Sequence, residues 1–407
     1  MKLKEVSVMD VTRVSENVYS IGVLNPNVRI SDVIVPTECG TTYNSYLIKG
    51  EKNILIDVTH PRFFDEYIEN VRSVVDPSKI DYVIMNHNEP DHSGSLEKLL
   101  EVAPQAQVLS STAGCIYLRN ILNKKDGYRA VKEGETLDIG GGKELRFMMA
   151  PFLHWPDTMF TYFAAEKMIF TCDFLGAHYC EPRMIDKYID NLGQYEKCFK
   201  TYFSAIFGPF KPYVLKGLEK LNSVEADIVC PSHGPILTKG NQLERSKELI
   251  KEWSQPETHN KKYIPIFFCS AYGYTTHLAE KISEGIKSVI ADADVEIMNV
   301  NEHPLDELAG KINNNDAFLL GSPTINKNAV PPIWNLLSTV DVINIKGRHA
   351  SAFGSFGWSG EAVPMLLDQL KMMKLNVFES GYTVRFVPTK EDDQAAFDFG
   401  KRFAQQL

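Results

Sequence analysis

The sequence has few features of an extracellular or membrane protein. Its seven cysteines are odd in number and scattered, and no two of them form a C-x-x-C pair. This pattern disfavours a disulfide framework and a zinc ribbon, so we expect reduced thiols. No stretch approaches the roughly 20 apolar residues of a membrane helix, and the opening residues MKLKEVSVMDVTRV lack the apolar core of a signal peptide. We therefore expect a soluble, cytoplasmic protein.

Positive charge is also scarce. Lys and Arg total 43 against 52 Asp and Glu, a formal net charge of -9, which disfavours a nucleic-acid surface. Hydrophobic residues make up 44% and charged residues 23%, as in ordinary globular proteins, which disfavours disorder and fibrous structure. At 407 residues the chain is long enough for two or three domains.

The pattern of secondary structure changes near residue 255. Before it, short β-rich runs such as NILIDV and YVIMN lie between helical stretches, which predicts an α+β sandwich. After it, five strands from YIPIFFCS to NVFESGYTVRF alternate strictly with helices, which predicts a doubly wound parallel sheet. The polar segment KEWSQPETHNKK between them suits a linker. We predict a first domain over 1–252, a linker over 253–262 and a second domain over 263–407.

A cluster of potential metal ligands follows the apolar run YVIM. The stretch MNHNEPDHSG contains His87, Glu89, Asp91 and His92 at the carboxyl end of a predicted buried strand, a usual place for a site. Burying so many titratable groups in one loop without a cation would be costly. The stretch therefore predicts a metal site.

Three further candidates each follow another predicted strand. His154 comes after ELRFMMA, Asp173 ends MIFTCD, and His233 comes after DIVC. Each residue alone is more typical of a structural histidine or a turn cap. Because four strand ends supply complementary ligands, we expect all seven side chains to converge.

This constellation resembles the metallo-β-lactamase fold, an αββα sandwich whose usual motif is H-x-H-x-D-H followed by His, Asp and His. Here Glu89 replaces the second histidine. Carboxylate-rich ligation suits iron, whereas an all-imidazole site suits zinc. We expect His87, Glu89 and His154 to hold one metal. Asp91, His92 and His233 are expected to hold a second, with Asp173 bridging the two.

Three small, hydroxyl-rich loops follow predicted strands in the second half: SAYGYTTH, GSPTINKN and SFGWSGEA. The first lies at a helix N-terminus, where N–H groups and hydroxyls bind phosphate, and it lacks the signatures of nucleoside triphosphate and NAD sites. The three loops resemble those of flavodoxin, which implies FMN with Trp358 stacked on its ring. The candidate contacts are Ser270, Tyr272, Gly273, Tyr274, Thr275, Ser322, Pro323, Thr324, Asn326, Ser355, Phe356, Gly357, Trp358, Ser359 and Gly360.

Together the two halves resemble the flavodiiron proteins, also called A-type flavoproteins, over essentially the whole chain. The resemblance implies a non-haem diiron centre and FMN that reduce O2 to water, NO to N2O, or both. It also implies a head-to-tail homodimer or a dimer of dimers, in which one subunit's flavin lies close to the other's irons. The electron donor stays open among a separate rubredoxin, a rubredoxin reductase and a deazaflavin.

Two alternatives belong to other classes: a binuclear zinc hydrolase fused to a flavodoxin domain, and an electron-transfer module with a structural metal. Glu89 argues against the first, and a bridged, open site argues against the second. We expect proton supply and control of the substrate to come from groups next to the ligands, and the candidates are Tyr43, Trp155, His178 and Tyr179. The remaining histidines are expected to be structural or on the surface: His60, His259, His277, His303 and His349.

Overall fold

In the computed structural model, residues 11–255 and 260–407 are described. The chain divides after Gln255 into two compact units. Trp253, predicted to begin the linker, is the last residue of a helix and packs against Phe199 and Phe203 of the first unit. Residues 256–259 of that linker, including His259, lie outside the described residues.

The first unit is built on two large sheets. Its strands are β1 Thr12–Arg13, β2 Val18–Ser20, β3 Val23–Asn25, β4 Ile30–Ser31, β5 Val35–Pro36, β6 Thr41–Tyr43, β7 Tyr46–Ile48, β8 Asn53–Ile56, β9 Ile80–Met85, β10 Gln107–Ser111, β11 Tyr128–Val131, β12 Thr136–Gly140, β13 Lys143–Met149, β14 Met159–Phe163, β15 Met168–Cys172, β16 Ile228–Pro231 and β17 Leu237–Thr238. One sheet has the order β1-β2-β7-β8-β9-β10-β11 and the other the order β12-β13-β14-β15-β16-β17.

Helices cover both sheets of this unit. They are α1 Phe64–Val74, α2 Pro90–Ser93, α3 Leu96–Val102, α4 Thr112–Ile121, α5 Leu192–Tyr202, α6 Lys211–Asn222 and α7 Gln242–Trp253. A π-helical turn, Phe203–Phe207, continues α5. Short 3-10 helices lie at Pro61–Phe63, Pro77–Lys79, Ala164–Glu166, Asp186–Tyr188 and Gly208–Phe210.

Buried aromatic residues show how these layers pack. Tyr46 of β7 and Phe170 of β15 meet between the two sheets, with ring centroids 5.2 Å apart. Tyr67 of α1 belongs to the cluster on the outer face of the first sheet, and Phe199 of α5 to the cluster on the outer face of the second. Helices thus cover both outer faces, and the predicted αββα sandwich is confirmed.

The second unit contains one parallel sheet. Its strands are β18 Ile266–Phe268, β19 Ile297–Asn299, β20 Ala317–Gly321, β21 His349–Phe356, β22 Asn376–Val377 and β23 Tyr382–Arg385. Its helices are α8 Tyr274–Val289, α9 Leu305–Asn313, α10 Pro331–Leu337, α11 Val342–Ile345, α12 Ala362–Met372 and α13 Lys390–Ala404, with a 3-10 helix at Val300–Glu302. The order β19-β18-β20-β21-β22, all parallel, is the doubly wound flavodoxin-like order, so this prediction is also confirmed.

The last strand differs from its predicted form. NVFESGYTVRF forms two short strands that both pair with β21, instead of one continuous strand. The chain between them takes positive φ angles at Glu379 (51°) and Gly381 (77°). Such angles are incompatible with extended backbone, so the strand breaks there.

None of the helices in the described ranges combines the length and the apolar character that a membrane crossing requires.

Candidate metal centre and flavin site

The first large sheet supplies four of the seven predicted ligands. β9 ends at Met85, and the chain then passes through His87 and Glu89 into the short helix α2. Pro90 opens this helix at a position where its fixed φ is already helical. The His92 N–H donates to the Glu89 carbonyl at 2.9 Å, which folds Asp91 and His92 back toward the strand end.

The second sheet supplies the other three. His154 follows β13, Asp173 follows β15 and His233 follows β16. Gly234, at φ +77°, lets the chain turn immediately after His233, because a Cβ there would lie 2.5 Å from the Ala177 carbonyl oxygen. Ligand residues from the two facing sheets therefore meet at one end of the sandwich.

One group of donor atoms comprises His87, Glu89, His154 and Asp173. The Glu89 Oε2 atom lies 3.3 Å from His87 Nε2 and 3.1 Å from His154 Nε2. The Asp173 Oδ2 atom lies 3.5 and 3.4 Å from the same two nitrogens. Ligand bonds of roughly 2.1 Å at tetrahedral or octahedral angles require donors about 3.0 to 3.5 Å apart, so this group matches the size of one cation.

A second group comprises Asp91, His92 and His233. His233 Nε2 lies 3.1 Å from Asp91 Oδ2, and His92 Nε2 lies 3.3 Å from Asp91 Oδ1. The other oxygen of Asp173, Oδ1, lies 3.1 Å from His92 Nε2 and 3.5 Å from His233 Nε2. Asp173 therefore presents one carboxylate oxygen to each group, which is the arrangement of a bridging ligand.

Residues behind the cluster fix the orientation of its ligands. Asp157 lies 3.2 Å from His87 Nδ1, and the Thr42 carbonyl oxygen lies 2.6 Å from His233 Nδ1, so both imidazoles direct Nε2 toward the cluster. The Tyr202 hydroxyl donates to Asp173 Oδ1 at 3.1 Å. Such outer partners orient metal-binding imidazoles and carboxylates.

The titration of these groups reflects how closely opposite charges lie. Burial by itself lowers the pKa of His87, but hydrogen bonds to Asp157 and Glu89 and the charge of Asp173 raise this pKa to about 10. Burial by itself raises the pKa of Glu89, but His154 and His87 lower it to about 2. In the metal-free chain, protons on the imidazoles thus supply the positive charge that the carboxylates need.

The cluster is closed on one side and open on the other. The side chains of His87, His92, Asp173 and His233 are buried, whereas those of Asp91, His154 and Glu89 are 12%, 14% and 21% exposed. A small substrate can approach from the exposed side. A closed structural site would lack such a face.

Three of the residues predicted to lie next to the ligands are close to the cluster. The Trp155 ring lies edge-on to His87 with centroids 5.1 Å apart, and Tyr43 lies edge-on to His233 at 5.8 Å. The His178 Nδ1 atom bonds the Thr41 hydroxyl at 2.8 Å. Burial and neighbouring His233 lower the pKa of His178 to about 3, so it is neutral near pH 7 and supports the site by packing and hydrogen bonding.

Tyr179 and the histidines that were expected to be structural make other contacts. The ring of Tyr179 packs edge-on against Tyr195 within the helical layer. His60 caps a 3-10 helix by accepting from the Arg62 N–H, whereas His277 and His303 lie near Asp393 and Glu307 at 2.7 and 3.3 Å.

In the second unit, the first predicted loop ends at the N-terminus of α8. Gly273 precedes this 16-residue helix at φ +82° and has no side chain to cap it, and a Cβ at Gly273 would meet nothing within 4 Å. In the first turn, the Thr276 N–H makes a long contact of 3.5 Å with the Ser270 hydroxyl oxygen. A contact of this length is weak, so the N-terminus of the helix, with the positive end of the helix dipole, suits an anion.

All three predicted loops border one cavity of about 370 Å³. Its rim includes Tyr272 and Trp358, which are 83% and 76% exposed, an unusual exposure for large aromatic side chains. The wall residues are Ala271, Tyr272, Tyr274, Pro323, Thr324, Ile325, Asn326, Ser355, Phe356, Gly357, Trp358 and Phe386.

Comparisons with known proteins agree with this architecture. Residues 41–234 match the model of the ODP family β-lactamases, and residues 266–400 match the flavodoxin model. The chain is 56% identical to the flavo-diiron protein FprA2 of Clostridium acetobutylicum, over 98% of this chain and 100% of that protein. The chain belongs to the flavodiiron protein family.

Other relatives of this flavodiiron protein carry names that describe an activity. The rubredoxin oxygen:oxidoreductase of Desulfovibrio gigas has a similar structure, with a TM-score of 0.70, 28% identity and coverage of 97% of this chain and 98% of that one. The anaerobic nitric oxide reductase flavorubredoxin of Vibrio vulnificus is 33% identical over 80% of this chain and 65% of its own length.

Flavodiiron proteins carry FMN and a non-haem diiron centre, and the residues of this chain fit both groups. In the first unit, the fit is shown by the two donor groups joined by Asp173 and by the buried Asp91 Oδ1 atom, which has no hydrogen-bond partner among the described residues. In the second unit, it is shown by the helix N-terminus at Tyr274 and by the cavity that Tyr274 and the exposed aromatic rings line. Both sites therefore have the chemistry that the family requires.

The structure places the predicted flavin contacts in two sets. Nine of them line the cavity, as given above. Thr275 and Ser322 are buried, and the Thr275 hydroxyl joins that of Ser355 at 3.0 Å, so it connects two loops. The other predicted residues outside the wall are Ser270, Gly273, Ser359 and Gly360.

Several residues at the two sites were not predicted from the sequence. Asp157 lies in the same LHWPD motif as His154, so its position three residues after a ligand was an available signal. Tyr202 and Phe386 carry no such signal. Tyr202 comes to the site from a distant helix, and Phe386 comes to the cavity from the end of β23.

Proposed function

We propose that this flavodiiron protein reduces O2 to water, NO to N2O, or both, with electrons that enter through FMN. The observation that carries the proposal is the carboxylate of Asp173, which directs one oxygen to each of two donor groups. Two cations held side by side at an accessible face suit the reduction of a diatomic gas. The named activities of the Desulfovibrio and Vibrio relatives support the same substrates.

The ligand assignment follows the two donor groups. We assign His87, Glu89 and His154 to one iron and Asp173 to a position between the irons. The second iron takes Asp91, His92 and His233. When bound, the iron ions and FMN supply redox chemistry, with two adjacent cationic sites for the gas and a carrier for two electrons.

Residues of the chain itself orient the ligands and exclude water from one side of the site. Asp157 and the Thr42 carbonyl oxygen keep two imidazoles in the tautomer that directs Nε2 inward. The partly exposed Glu89 and His154 form the face that the gas meets, while the buried residues exclude water behind it. Full reduction of O2 consumes four electrons and four protons, and reduction of two NO molecules to N2O and water consumes two of each.

For the second unit, we propose that the N-terminus of α8 binds the FMN phosphate. Tyr272 and Trp358 then flank the cavity in which the flavin ring lies. We also propose that an external electron donor, such as rubredoxin, supplies the electrons. The chain itself is proposed to form a head-to-tail homodimer or a dimer of dimers. The name of the Desulfovibrio relative supports the rubredoxin proposal.

A binuclear zinc hydrolase fused to a flavodoxin domain is the competing function. Carboxylate-rich donor sets favour iron over zinc, and Glu89 lies within 3.3 Å of both imidazoles of its group. This contact favours the redox function, because the residue that departs from the usual hydrolase motif is a member of the donor group.

The test is a gas reaction of the isolated protein loaded with iron and FMN. The protein is reduced anaerobically and mixed with NO or O2, and flavin reoxidation, N2O and peroxide are followed. Rapid reoxidation with N2O from NO, or without peroxide from O2, is expected. A His154→Ala variant, which loses an iron ligand but leaves the flavin unit intact, should reoxidise slowly.

Two results would contradict the proposal. One is a flavin that NO leaves reduced and O2 reoxidises slowly with release of peroxide, at the same rate in the protein and in His154→Ala. The other is hydrolysis of ester or thioester substrates that requires zinc. Either result would favour the hydrolase.

A further inference from the structure

Two thiols lie side by side in the first unit, outside the cluster of seven ligands. The sulfur atoms of Cys39 and Cys198 are 3.2 Å apart, although 159 positions separate the residues in the sequence. Cys39 is partly exposed in the segment between β5 and β6, and Cys198 is buried in α5. Cys39 is therefore the more accessible residue of a preformed pair.

Neighbouring side chains keep the two thiols together. The carboxylate of Glu38 and the ammonium of Lys197, each next to a cysteine, form an ion pair at 2.7 Å. The Gln194 amide nitrogen lies 3.3 Å from Cys39 Sγ and 4.0 Å from Cys198 Sγ. Both contacts connect the segment carrying Cys39 to α5 and so fix the position of one thiol relative to the other.

This geometry suits a disulfide. The sulfurs of a disulfide are about 2.05 Å apart, so the sulfurs of Cys39 and Cys198, at 3.2 Å, need to approach by only about 1.1 Å. We propose that Cys39 and Cys198 are a redox-active thiol pair, which a hydroperoxide oxidises to an intrachain disulfide. The pair is thus a modification site distinct from both cofactor sites.

The oxidation proceeds in two balanced steps. The accessible Cys39 sulfur attacks a peroxide oxygen, the O–O bond breaks, and the products are a sulfenic acid and water. The Cys198 sulfur then attacks the Cys39 sulfur, an S–S bond forms, the S–O bond breaks, and a second water leaves with the Cys198 proton. Two thiols lose two electrons and two protons, and hydrogen peroxide becomes two waters.

The order of these steps follows from the environment of each thiol. Burial, reinforced by neighbouring Cys39, raises the pKa of Cys198 to about 12. Cys198 is therefore poorly reactive toward an oxidant in solution, and it acts as the resolving thiol once Cys39 has been oxidised.

The bond would join two segments that hold the metal cluster from behind. Cys39 lies three residues before Thr42, whose carbonyl oxygen accepts from His233. Cys198 lies one helical turn before Tyr202, whose hydroxyl donates to Asp173. Oxidation therefore links the supports of two proposed iron ligands covalently.

The test is peptide mapping of the full-length protein, isolated with its cofactors and treated with hydrogen peroxide under native conditions. After free thiols are alkylated and the chain is digested with trypsin, we expect a disulfide between peptides 30–49 and 198–200. Two of the seven thiols should become unreactive and should return on treatment with dithiothreitol.

Variants distinguish this pair from general oxidation. Cys39→Ser and Cys198→Ser should each abolish the cross-link, and Cys198→Ala repeats the test should the serine variant not fold. Cys115→Ser is the matched control, because Cys115 is also a helical cysteine and is as buried as Cys198, at 5% against 6%. It should keep the cross-link. Overoxidation of Cys39 without a cross-link, or a disulfide between other cysteines, would overturn the proposal.

Discussion

Glu89 is the residue at which the ligand motif departs from the usual hydrolase pattern. Its Oε2 atom lies close to two imidazole nitrogens, at 3.1 and 3.3 Å, so it contributes charge to the donor group as well as a ligand atom. An imidazole at this position would leave the donor group with less negative charge. The identity of this one side chain therefore bears directly on which metal is preferred.

Replacement of Glu89 by histidine tests this role. Glu89→His gives the pattern H-x-H-x-D-H and places three imidazoles around the first metal position, so the variant should take up a larger ratio of zinc to iron than the parent chain. The measurement is metal content after refilling the metal-free protein from an equimolar mixture of the two ions. Glu97→His, a change on the surface of α3, is the control. An unchanged metal ratio in Glu89→His would contradict the prediction.

Asp157 acts on the metal site through another residue. Its carboxylate lies 3.2 Å from His87 Nδ1 and accepts from the Asn88 backbone N–H at 2.9 Å and side-chain amide at 2.8 Å. Asp157→Asn removes the negative charge and places an amide among these donors. We expect iron affinity to fall by about 10- to 100-fold, as measured by chelator competition.

A matched control for this variant is Asp138→Asn. Asp138 is exposed in β12, and its carboxylate accepts only a local bond from the Gly140 N–H among the contacts described. Its replacement should leave iron affinity unchanged. Equal affinities in both variants would show that Asp157 does not orient the ligand.

At the scale of elements, the flavin site depends on loops held by a close-packed sheet and helices. In α8, a Cβ at Gly285 would lie 2.0 Å from the Phe397 carbonyl oxygen of α13. In α13, a Cβ at Gly400 would lie 2.1 Å from the Ile282 carbonyl oxygen of α8. Both glycines allow the two helices to approach closely, and this packing anchors the helix whose N-terminus faces the proposed phosphate.

Gly285→Ala should therefore destabilise the second unit. Because the clash is with backbone, we expect the free energy of unfolding to fall by about 1 to 3 kcal/mol. Gly310→Ala is the control, since Gly310 lies in α9 and a Cβ there would meet nothing within 4 Å. That change should raise stability by up to about 1 kcal/mol through helix propensity. Denaturant unfolding of both variants measures the contrast.

The third flavin loop allows a direct test of cofactor contact. Trp358 is 76% exposed, so Trp358→Ala should leave folding unchanged and weaken FMN binding. Loss of one stacking contact of about 0.5 to 1.5 kcal/mol corresponds to a Kd roughly 2- to 12-fold higher. Flavin fluorescence during titration of the FMN-free protein gives the Kd. Met372→Ala, at a similarly exposed site in α12, should bind FMN as the parent does.

At the scale of the whole molecule, the proposed head-to-tail dimer requires electrons to pass from the flavin of one subunit to the metal centre of the other. A mixed dimer tests it, with His154→Ala in one subunit and Ser270→Asp in the other. The second change places a carboxylate at the proposed phosphate site. Each variant alone should be inactive. Transfer between subunits leaves one working pair of sites, so the mixed dimer, isolated through two affinity tags, should keep about half of the parent activity.

Transfer within one chain gives a different result. Neither subunit of the mixed dimer would then contain both working sites, and gas reduction would be absent. A dimer of two parent subunits carrying the same tags controls for the effect of the tags.

The sequence alone determined much of this protein. The strand and helix order, the two fold classes, the seven candidate ligands and the three flavin loops are all readable, because each depends on residues close together in the chain. Ligands after strands and small residues before helices are local patterns. The break between β22 and β23 was missed, since it depends on backbone angles at Glu379 and Gly381 that composition does not reveal.

Tertiary structure decided which distant residues meet. The Asp173 carboxylate lies between two donor groups, Tyr202 reaches it from α5, and Cys39 approaches Cys198 across 159 positions. These contacts depend on how two sheets face each other and on how helices cover them. The sequence specifies the chemistry of each side chain, but the packing of sheets and helices sets the distances between side chains that are far apart in the chain.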